Sequence, residues 1–98
     1  AGVTVEGVDI AWVYNGVRSA PGQPVRVEVA PGTQISLPNN GAAPHNFVIE
    51  QLGVLVDMPV GSAGQYVVPA DLAPGEYEFI CNLPGHAPAG MVGVLVVK

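Results

Sequence analysis

The residues of this sequence that are best suited to binding a metal ion form one pattern. Cys81, His86 and Met91 follow the spacing C-x4-H-x4-M, and His45, the other histidine of the chain, lies upstream. The sequence contains one cysteine, two histidines and two methionines, so four of these five residues belong to the pattern. Two imidazoles and a thiolate in a trigonal plane, with a long and weak axial methionine, form the donor set of copper electron-transfer sites. We therefore interpret these four residues as the ligands of one copper ion.

The strands predicted around these residues can bring them together. Apolar residues alternate with other residues before Cys81 and after His45, which is the pattern of half-buried β-strands. The alternation places Cys81 on the same face as Phe79 and His45 on the same face as Phe47. A loop rich in proline and glycine follows Cys81 and can turn back, which would return the other two ligands to the cysteine.

The same alternation recurs along the chain between turn signals. The sequence has 13 glycines and 10 prolines, and no stretch sustains the apolar spacing of an amphipathic helix. Short strands separated by such turns are typical of antiparallel sandwiches and barrels. We predict an all-β fold, a Greek-key β-sandwich or barrel of about seven or eight strands with little helix, in a single domain spanning residues 1–98.

Four features carry more specific expectations. Residues 51–68 are the least regular part of the chain, and we expect a loop or one helical turn there. The continuous apolar run from Met91 to Val97 predicts a fully buried final strand. Tyr77 fits a tyrosine corner, in which the hydroxyl bonds to the backbone a few residues upstream, so we assign it a structural role. Met58, the methionine outside the pattern, is assigned to core packing.

Composition excludes several classes of protein. The formal net charge is -5, and only three residues are basic, so the chain lacks the basic patch that nucleic-acid binding requires. Hydrophobic residues make up 49% of the chain and charged residues 11%, which excludes a disordered tail. One cysteine cannot form an intramolecular disulfide. The longest apolar runs are far shorter than the roughly 20 residues of a membrane span, so we expect no span in this chain.

Other interpretations of the pattern stay open at this point. A lone buried cysteine is often a core filler, and a metal-free binding module would make the spacing an accident. Zinc accepts the same cysteine and two histidines and can substitute for copper. Copper storage favours exposed, exchangeable thiol or thioether clusters. A copper enzyme would need a second site with further histidines, which this chain does not supply, so we expect an electron-transfer protein or a module that donates electrons to a larger copper enzyme.

Two segments resemble the copper-binding segments of the cupredoxins, the small type 1 blue copper proteins. They are Pro44 to Ile49, which contains His45, and Gly75 to Gly93, which contains the other three residues of the pattern. The C-x4-H-x4-M loop is most similar to that of the auracyanin members and, as far as His86, to that of the azurin members. The resemblance implies a cupredoxin-like, or plastocyanin-like, domain and a soluble one-electron carrier cycling Cu(II) and Cu(I). It also implies a periplasmic or extracytoplasmic location, either free or tethered to a membrane in a longer precursor.

The resemblance also implies roles for residues next to the ligands. Asn46 matches the family's asparagine that ties the two ligand segments together and fixes ligand orientation. Leu83 stands where plastocyanin has a proline, so its backbone N–H is free to donate to the Cys81 sulfur. Such a bond draws electron density from the thiolate and favours Cu(I). We therefore hypothesise that Leu83→Pro lowers the midpoint potential.

The loop around His86 suggests how electrons enter and leave. It is uncharged, and we expect one edge of the His86 imidazole to emerge in a small apolar patch suited to transient docking of redox donor and acceptor proteins. The rest of the molecule is acidic, which favours neutral or cationic partner surfaces. We expect a monomer. The predicted docking residues are Leu83, Pro84, Gly85, Ala87, Pro88 and Ala89.

Overall fold

Alternating valine-rich segments form eleven short strands in a computed structural model that describes residues 2–98. Proline and glycine turns separate them, and helix is confined to two short pieces. These are a 3-10 turn at Glu50–Leu52 and one four-residue helix, α1, at His86–Ala89. The strands are β1 Gly2–Thr4, β2 Glu6–Val8, β3 Ala11–Tyr14, β4 Val17–Arg18, β5 Val25–Val29, β6 Gln34–Pro38, β7 His45–Ile49, β8 Val54–Met58, β9 Ala63–Val67, β10 Gly75–Ile80 and β11 Val92–Val97.

The strands form three sheets. A five-stranded sheet has the order β5-β11-β10-β7-β8, a three-stranded sheet has the order β1-β6-β9, and β2, β3 and β4 form a small antiparallel sheet. Among the paired strands of residues 2–98, only the β1–β6 and β5–β11 pairs are parallel. Strands β7 and β10 are antiparallel neighbours, with Ile80 opposite Val48. The segments that contain His45 and Cys81 are distant in sequence, but the neighbouring strands β7 and β10 bring them side by side.

The core lies between the sheets and reaches one end of β7 and β10. Trp12, Phe47 and Phe79 are fully buried. The Trp12 ring packs edge-on against both phenylalanines, with ring centroids 5.9 Å from Phe47 and 5.5 Å from Phe79. The ring centroids of Phe47 and Phe79 are 4.9 Å apart. Phe47 and Phe79 each lie two residues from a predicted ligand, so this aromatic cluster packs behind the end of the sandwich where the predicted ligands lie.

The all-β prediction is confirmed, and the strand count is higher than expected because the N-terminal part of the chain divides into four very short strands. The expectation for residues 51–68 is confirmed only at the start of the segment, where the 3-10 turn Glu50–Leu52 forms one helical turn, because most of the segment forms β8 and β9. Their alternation was obscured in the sequence by apolar side chains that face solvent. Leu55 is 56% exposed and Val67 is 55% exposed, so hydrophobic residues occupy the positions where polar residues would mark the outer face.

The final strand is not fully buried, which corrects the expectation for Met91 to Val97. Strand β11 begins at Val92, and its residues alternate between buried and half-buried. Its outward face is covered only in part by long charged side chains of the neighbouring strands. Val94, for example, pairs with Arg26 of β5 and with Glu78 of β10. The aliphatic parts of such side chains shield apolar neighbours while their charged ends stay in water.

Two structural assignments are confirmed. The Tyr77 hydroxyl donates to the Ala73 carbonyl over 2.7 Å, which is the bond of a tyrosine corner. Met58 is fully buried in the core, as expected for a packing residue.

Burial also raises the pKa of Tyr66, because the partly enclosed phenolate would be poorly solvated.

No helix among residues 2–98 is long and apolar enough to cross a membrane.

Candidate metal centre

Three of the predicted ligands meet at one end of the sandwich. The Cys81 Sγ atom is 3.2 Å from His86 Nδ1 and 3.9 Å from His45 Nδ1, and the two Nδ1 atoms are 3.1 Å apart. All three donor atoms lie within 4.8 Å of one another. Cys81 and His45 are buried, whereas His86 is half-buried. One thiol and two ring nitrogens thus converge on a common point at the edge of the core.

The strands account for two of these positions and the loop for the third. His45 is the first residue of β7, and Cys81 directly follows β10, the antiparallel neighbour of β7. Their side chains therefore emerge at the same end of the five-stranded sheet. His86 is the first residue of α1, and Gly85 precedes it with a φ of 81°. Glycine adopts this left-handed conformation without steric cost, so the loop turns sharply just before the histidine.

Backbone hydrogen bonds hold the fourth predicted ligand beside the other two loop residues. The Cys81 N–H donates to the Met91 carbonyl over 3.3 Å, and the Met91 N–H donates to the His86 carbonyl over 3.1 Å. Met91 is fully buried. Gly90, with a φ of 127°, allows the chain to enter β11 from the loop. The backbone segments of Cys81, His86 and Met91 therefore form one connected unit.

Asn46 connects the two segments that carry Cys81 and His45. Its side-chain N–H donates to the Asn82 side-chain oxygen over 2.6 Å, and its own side-chain oxygen accepts the Asn82 backbone N–H at 2.9 Å. Asn82 lies two residues beyond Ile80 and Asn46 two residues before Val48, so this pair extends the β7–β10 register past the end of the sheet. This contact links the two segments, as the resemblance implies, and the role of Asn46 in fixing ligand orientation stays a prediction.

A carboxylate that the sequence did not indicate contacts the remaining nitrogen of His45. Asp9 Oδ1 is 2.9 Å from His45 Nε2, and the same carboxylate accepts the backbone N–H groups of Ala42 at 2.7 Å and Ala43 at 3.3 Å. The Ala42 N–H, helped by His45 and Ala43, lowers the pKa of Asp9 below its ordinary value. Asp9 lies 36 residues before His45. No local sequence pattern could have connected them.

Ser19 is a second residue that sequence reasoning missed. Its hydroxyl donates to the Gly90 carbonyl over 2.6 Å and accepts the Trp12 backbone N–H at 2.8 Å. Ser19 is buried, with 3% of its surface exposed. The serine thereby joins the small β2-β3-β4 sheet to the loop residue that directly precedes Met91.

The predicted docking residues lie on the loop that surrounds His86. Pro84, Gly85, Pro88 and Ala89 are exposed, and Ala87 is half-buried. Leu83 is half-buried and packs against the core. The hydrogen-bonding contacts of the Cys81 sulfur in the described part of the chain are with the two histidine rings, and donation from the Leu83 N–H to this sulfur stays a prediction.

The donor set fits copper. Imidazole nitrogen and thiolate sulfur are ligands that copper accepts in electron-transfer sites, and their convergence within 4.8 Å gives the spacing that a single ion needs. Zinc can also bind this set. The burial of Cys81 argues against an exchangeable surface site, because a thiolate inside the core is not open to competing ligands.

Comparison with known proteins agrees with this arrangement. The model of the Cupredoxin-like domain family matches residues 17–97. Auracyanin-B of Chloroflexus aurantiacus is 31% identical over a 130-residue alignment that covers 85% of this chain and 55% of the relative. The chain thus spans about half the length of that relative.

Solved structures show the same fold at lower identity. Reduced auracyanin from Roseiflexus castenholzii superposes with a TM-score of 0.70 at 18% identity, covering 99% of this chain and 96% of the other. The periplasmic domain of cytochrome oxidase subunit II (CoxB) of Bradyrhizobium japonicum superposes with a TM-score of 0.71 at 20% identity, covering 99% and 83%. With the family match over most of its length and the cluster of His45, Cys81 and His86 at one end of its sandwich, the chain belongs to the cupredoxin-like domain family.

Proposed function

We propose that the protein is a one-electron carrier with one mononuclear type 1 copper centre, held by His45, Cys81, His86 and Met91. The observation that carries the proposal is the convergence of Cys81 Sγ with the Nδ1 atoms of His45 and His86. A bound copper ion would supply a Cu(II)/Cu(I) couple. The two histidine rings and the cysteine provide the ligands that this couple needs, and Met91 provides the weak thioether.

The surroundings of the site suit repeated electron transfer. Buried Cys81 and His45 exclude water from the inner side of the cluster, where the aromatic core lies behind them. The Asn46–Asn82 pair and the Cys81–Met91 backbone bond link the ligand segments to one another. Side chains that are held in this way move little, and a site that moves little loses little energy to rearrangement when an electron arrives or leaves.

We assign the entry and exit of electrons to the half-buried His86. Its loop is uncharged, and the exposed residues around it present proline, glycine and alanine to solvent. A small apolar surface of this kind suits a partner that binds briefly and then leaves. The net charge of -5 favours neutral or cationic surfaces on the redox donor and acceptor. We also propose that the domain acts as a monomer.

Adding Cu(II) to the purified apoprotein tests this proposal. We expect an intense visible band from cysteine-to-copper charge transfer, which ascorbate bleaches and reoxidation restores. Cys81→Ser should abolish the band, whereas Ser62→Ala, an exposed substitution away from the site, should leave it unchanged. A wild-type protein without the band, or a Cys81→Ser variant that retains it, would show that the copper assignment is wrong. Binding of Zn(II) in preference to Cu(II) would instead favour a zinc site.

A second candidate is a domain that donates electrons within a larger copper enzyme. The likeness to the CoxB periplasmic domain favours it, and it agrees with the extracytoplasmic location that we propose for this chain. The complete reading frame distinguishes the two candidates. Fusion to an oxidase subunit would support the second, and a reading frame with no further domain would support the independent carrier.

A further inference from the structure

We propose that Asp9 is a positioning residue for the metal site. Its carboxylate holds His45 in the tautomer that is protonated at Nε2, so the Nδ1 lone pair points toward Cys81. The effect on metal binding rests on the proposed copper function. The effect on the histidine does not, because it concerns contacts between protein groups alone.

Hydrogen bonds fix the orientation of the Asp9 carboxylate. Asp9 Oδ2 accepts the Ala42 N–H, and Oδ1 accepts the Ala43 N–H while it faces His45 Nε2 at 2.9 Å. An ionised carboxylate can only accept hydrogen bonds, so the partner nitrogen of the histidine must carry the proton. Arg18 fixes the backbone at Asp9, because its guanidinium donates to the Asp9 carbonyl over 2.8 Å. The carboxylate is therefore oriented before any metal binds.

In the neutral imidazole, protonation at Nε2 leaves Nδ1 of His45 as an acceptor. That atom is 3.9 Å from Cys81 Sγ and 3.1 Å from His86 Nδ1, so it faces the centre of the cluster. A metal binds the unprotonated nitrogen of an imidazole, and a hydrogen bond at the other nitrogen decides which one this is. The His45 side chain is 0% exposed and the Asp9 side chain is 37% exposed, so the carboxylate lies between Nε2 and the solvent.

A glycine on the facing loop supplies independent support. A Cβ atom at Gly41 would collide with Asp9 Oδ1 and would lie 2.8 Å from Asp9 Cγ. Gly41 does not have a positive φ, so the backbone conformation does not explain the glycine. The carboxylate does, since only a residue without a side chain leaves space for it between the loop and β7. A side chain at position 41 would therefore displace the Asp9 carboxylate.

Loss of such an outer hydrogen-bond partner typically reduces metal affinity roughly 10- to 100-fold. We expect Asp9→Ala to raise the dissociation constant for Cu(II), measured by competition with a chelator of known affinity, by a factor in this range. Gly41→Ala should act in the same direction, because it displaces the carboxylate without removing it. Asp71→Asn, at an exposed aspartate outside the two ligand segments, is the matched control and should bind Cu(II) as the wild type does.

The tautomer is measured on the apoprotein by NMR of 15N-labelled histidine. We expect His45 Nε2 to be the protonated nitrogen in the wild type and in Asp71→Asn, and we expect this preference to be lost in Asp9→Ala. Asp9→Asn preserves the side-chain volume and carries the test if the alanine variant does not fold. Its amide has one acceptor oxygen and places an NH2 group where the other carboxylate oxygen was, so it cannot accept from His45, Ala42 and Ala43 together, and the preference should weaken in this variant too.

Two results would overturn the proposal. One is a wild-type apoprotein in which His45 is protonated at Nδ1, and the other is unchanged Cu(II) affinity in the folded Asp9 variants. Failure of the copper function gives a different signature. In that case the wild type forms no charge-transfer band, while His45 still shows the Nε2-protonated form and still responds to Asp9→Asn.

Discussion

Ser19→Ala tests whether the small N-terminal sheet holds the loop that carries Met91. The Ser19 hydroxyl is buried and has two partners, the Trp12 N–H and the Gly90 carbonyl. Alanine removes the hydroxyl and leaves the rest of the side chain in place. The Trp12 N–H then has no acceptor in a buried position, whereas the Gly90 carbonyl still accepts the Val92 N–H at 2.9 Å.

These contacts set the expected loss of stability. A buried N–H without a partner costs about 1–3 kcal/mol, and loss of one of two bonds at a carbonyl costs about 0.5–1 kcal/mol more. We therefore expect Ser19→Ala to lower the free energy of unfolding by about 1.5–4 kcal/mol. This is a large part of the roughly 5–15 kcal/mol that stabilises a typical domain.

Urea unfolding of the apoprotein, followed by far-UV circular dichroism, measures the change without involving the metal. Ser62→Ala is the matched control, because its hydroxyl bonds to the Pro59 carbonyl over 2.7 Å at an exposed position. We expect that variant to lie within about 0.5 kcal/mol of the wild type. Equal stabilities for the Ser19→Ala and Ser62→Ala variants would refute the buried bridge.

Three further predictions concern the ligand segments and the sheet. Asn46→Ala breaks both bonds to Asn82 and should lower the free energy of unfolding of the apoprotein by about 1–3 kcal/mol, measured in urea. Leu83→Pro removes the N–H predicted to donate to the Cys81 sulfur and should lower the midpoint potential in voltammetry; an unchanged or raised potential would contradict that role. The raised pKa of Tyr66 means that the unfolded chain loses this proton first as the pH rises, so stability should fall above pH 10.0. Tyr66→Phe should reduce that fall in urea unfolding measured across the alkaline range.

Local patterns in the sequence predicted the parts of the molecule that depend on local geometry. Alternation with period two identified the strands that contain Phe47 and Phe79, and the tyrosine corner required only a few residues around Tyr77. The spacing from Cys81 to Met91 lies on one loop, so it could be interpreted without knowledge of the tertiary structure. The convergence with His45 followed because β7 and β10 are neighbours in the sheet.

The sequence could not predict contacts that depend on how distant segments meet. Asp9 and His45 are 36 residues apart, and Ser19 and Gly90 are 71 residues apart. Asp9 lies in a turn and Ser19 lies directly after a short strand, and no neighbouring residue forms a motif that would indicate their distant partners. Likewise, the outward-facing Leu55 and Val67 obscured two strands, because exposed apolar residues remove the contrast between the faces that reveals a strand.

Three bridges connect the ligand segments to different parts of the fold. Asp9 contacts His45 from the turn between β2 and β3, Asn46 connects the start of β7 to the residue after Cys81, and Ser19 bonds to the backbone just before Met91. Each bridge joins protein groups only, so it is in place without a bound ion. The chain has one cysteine and cannot form an intramolecular disulfide, so these hydrogen bonds, and not a covalent cross-link, connect the ligand segments to the rest of the fold.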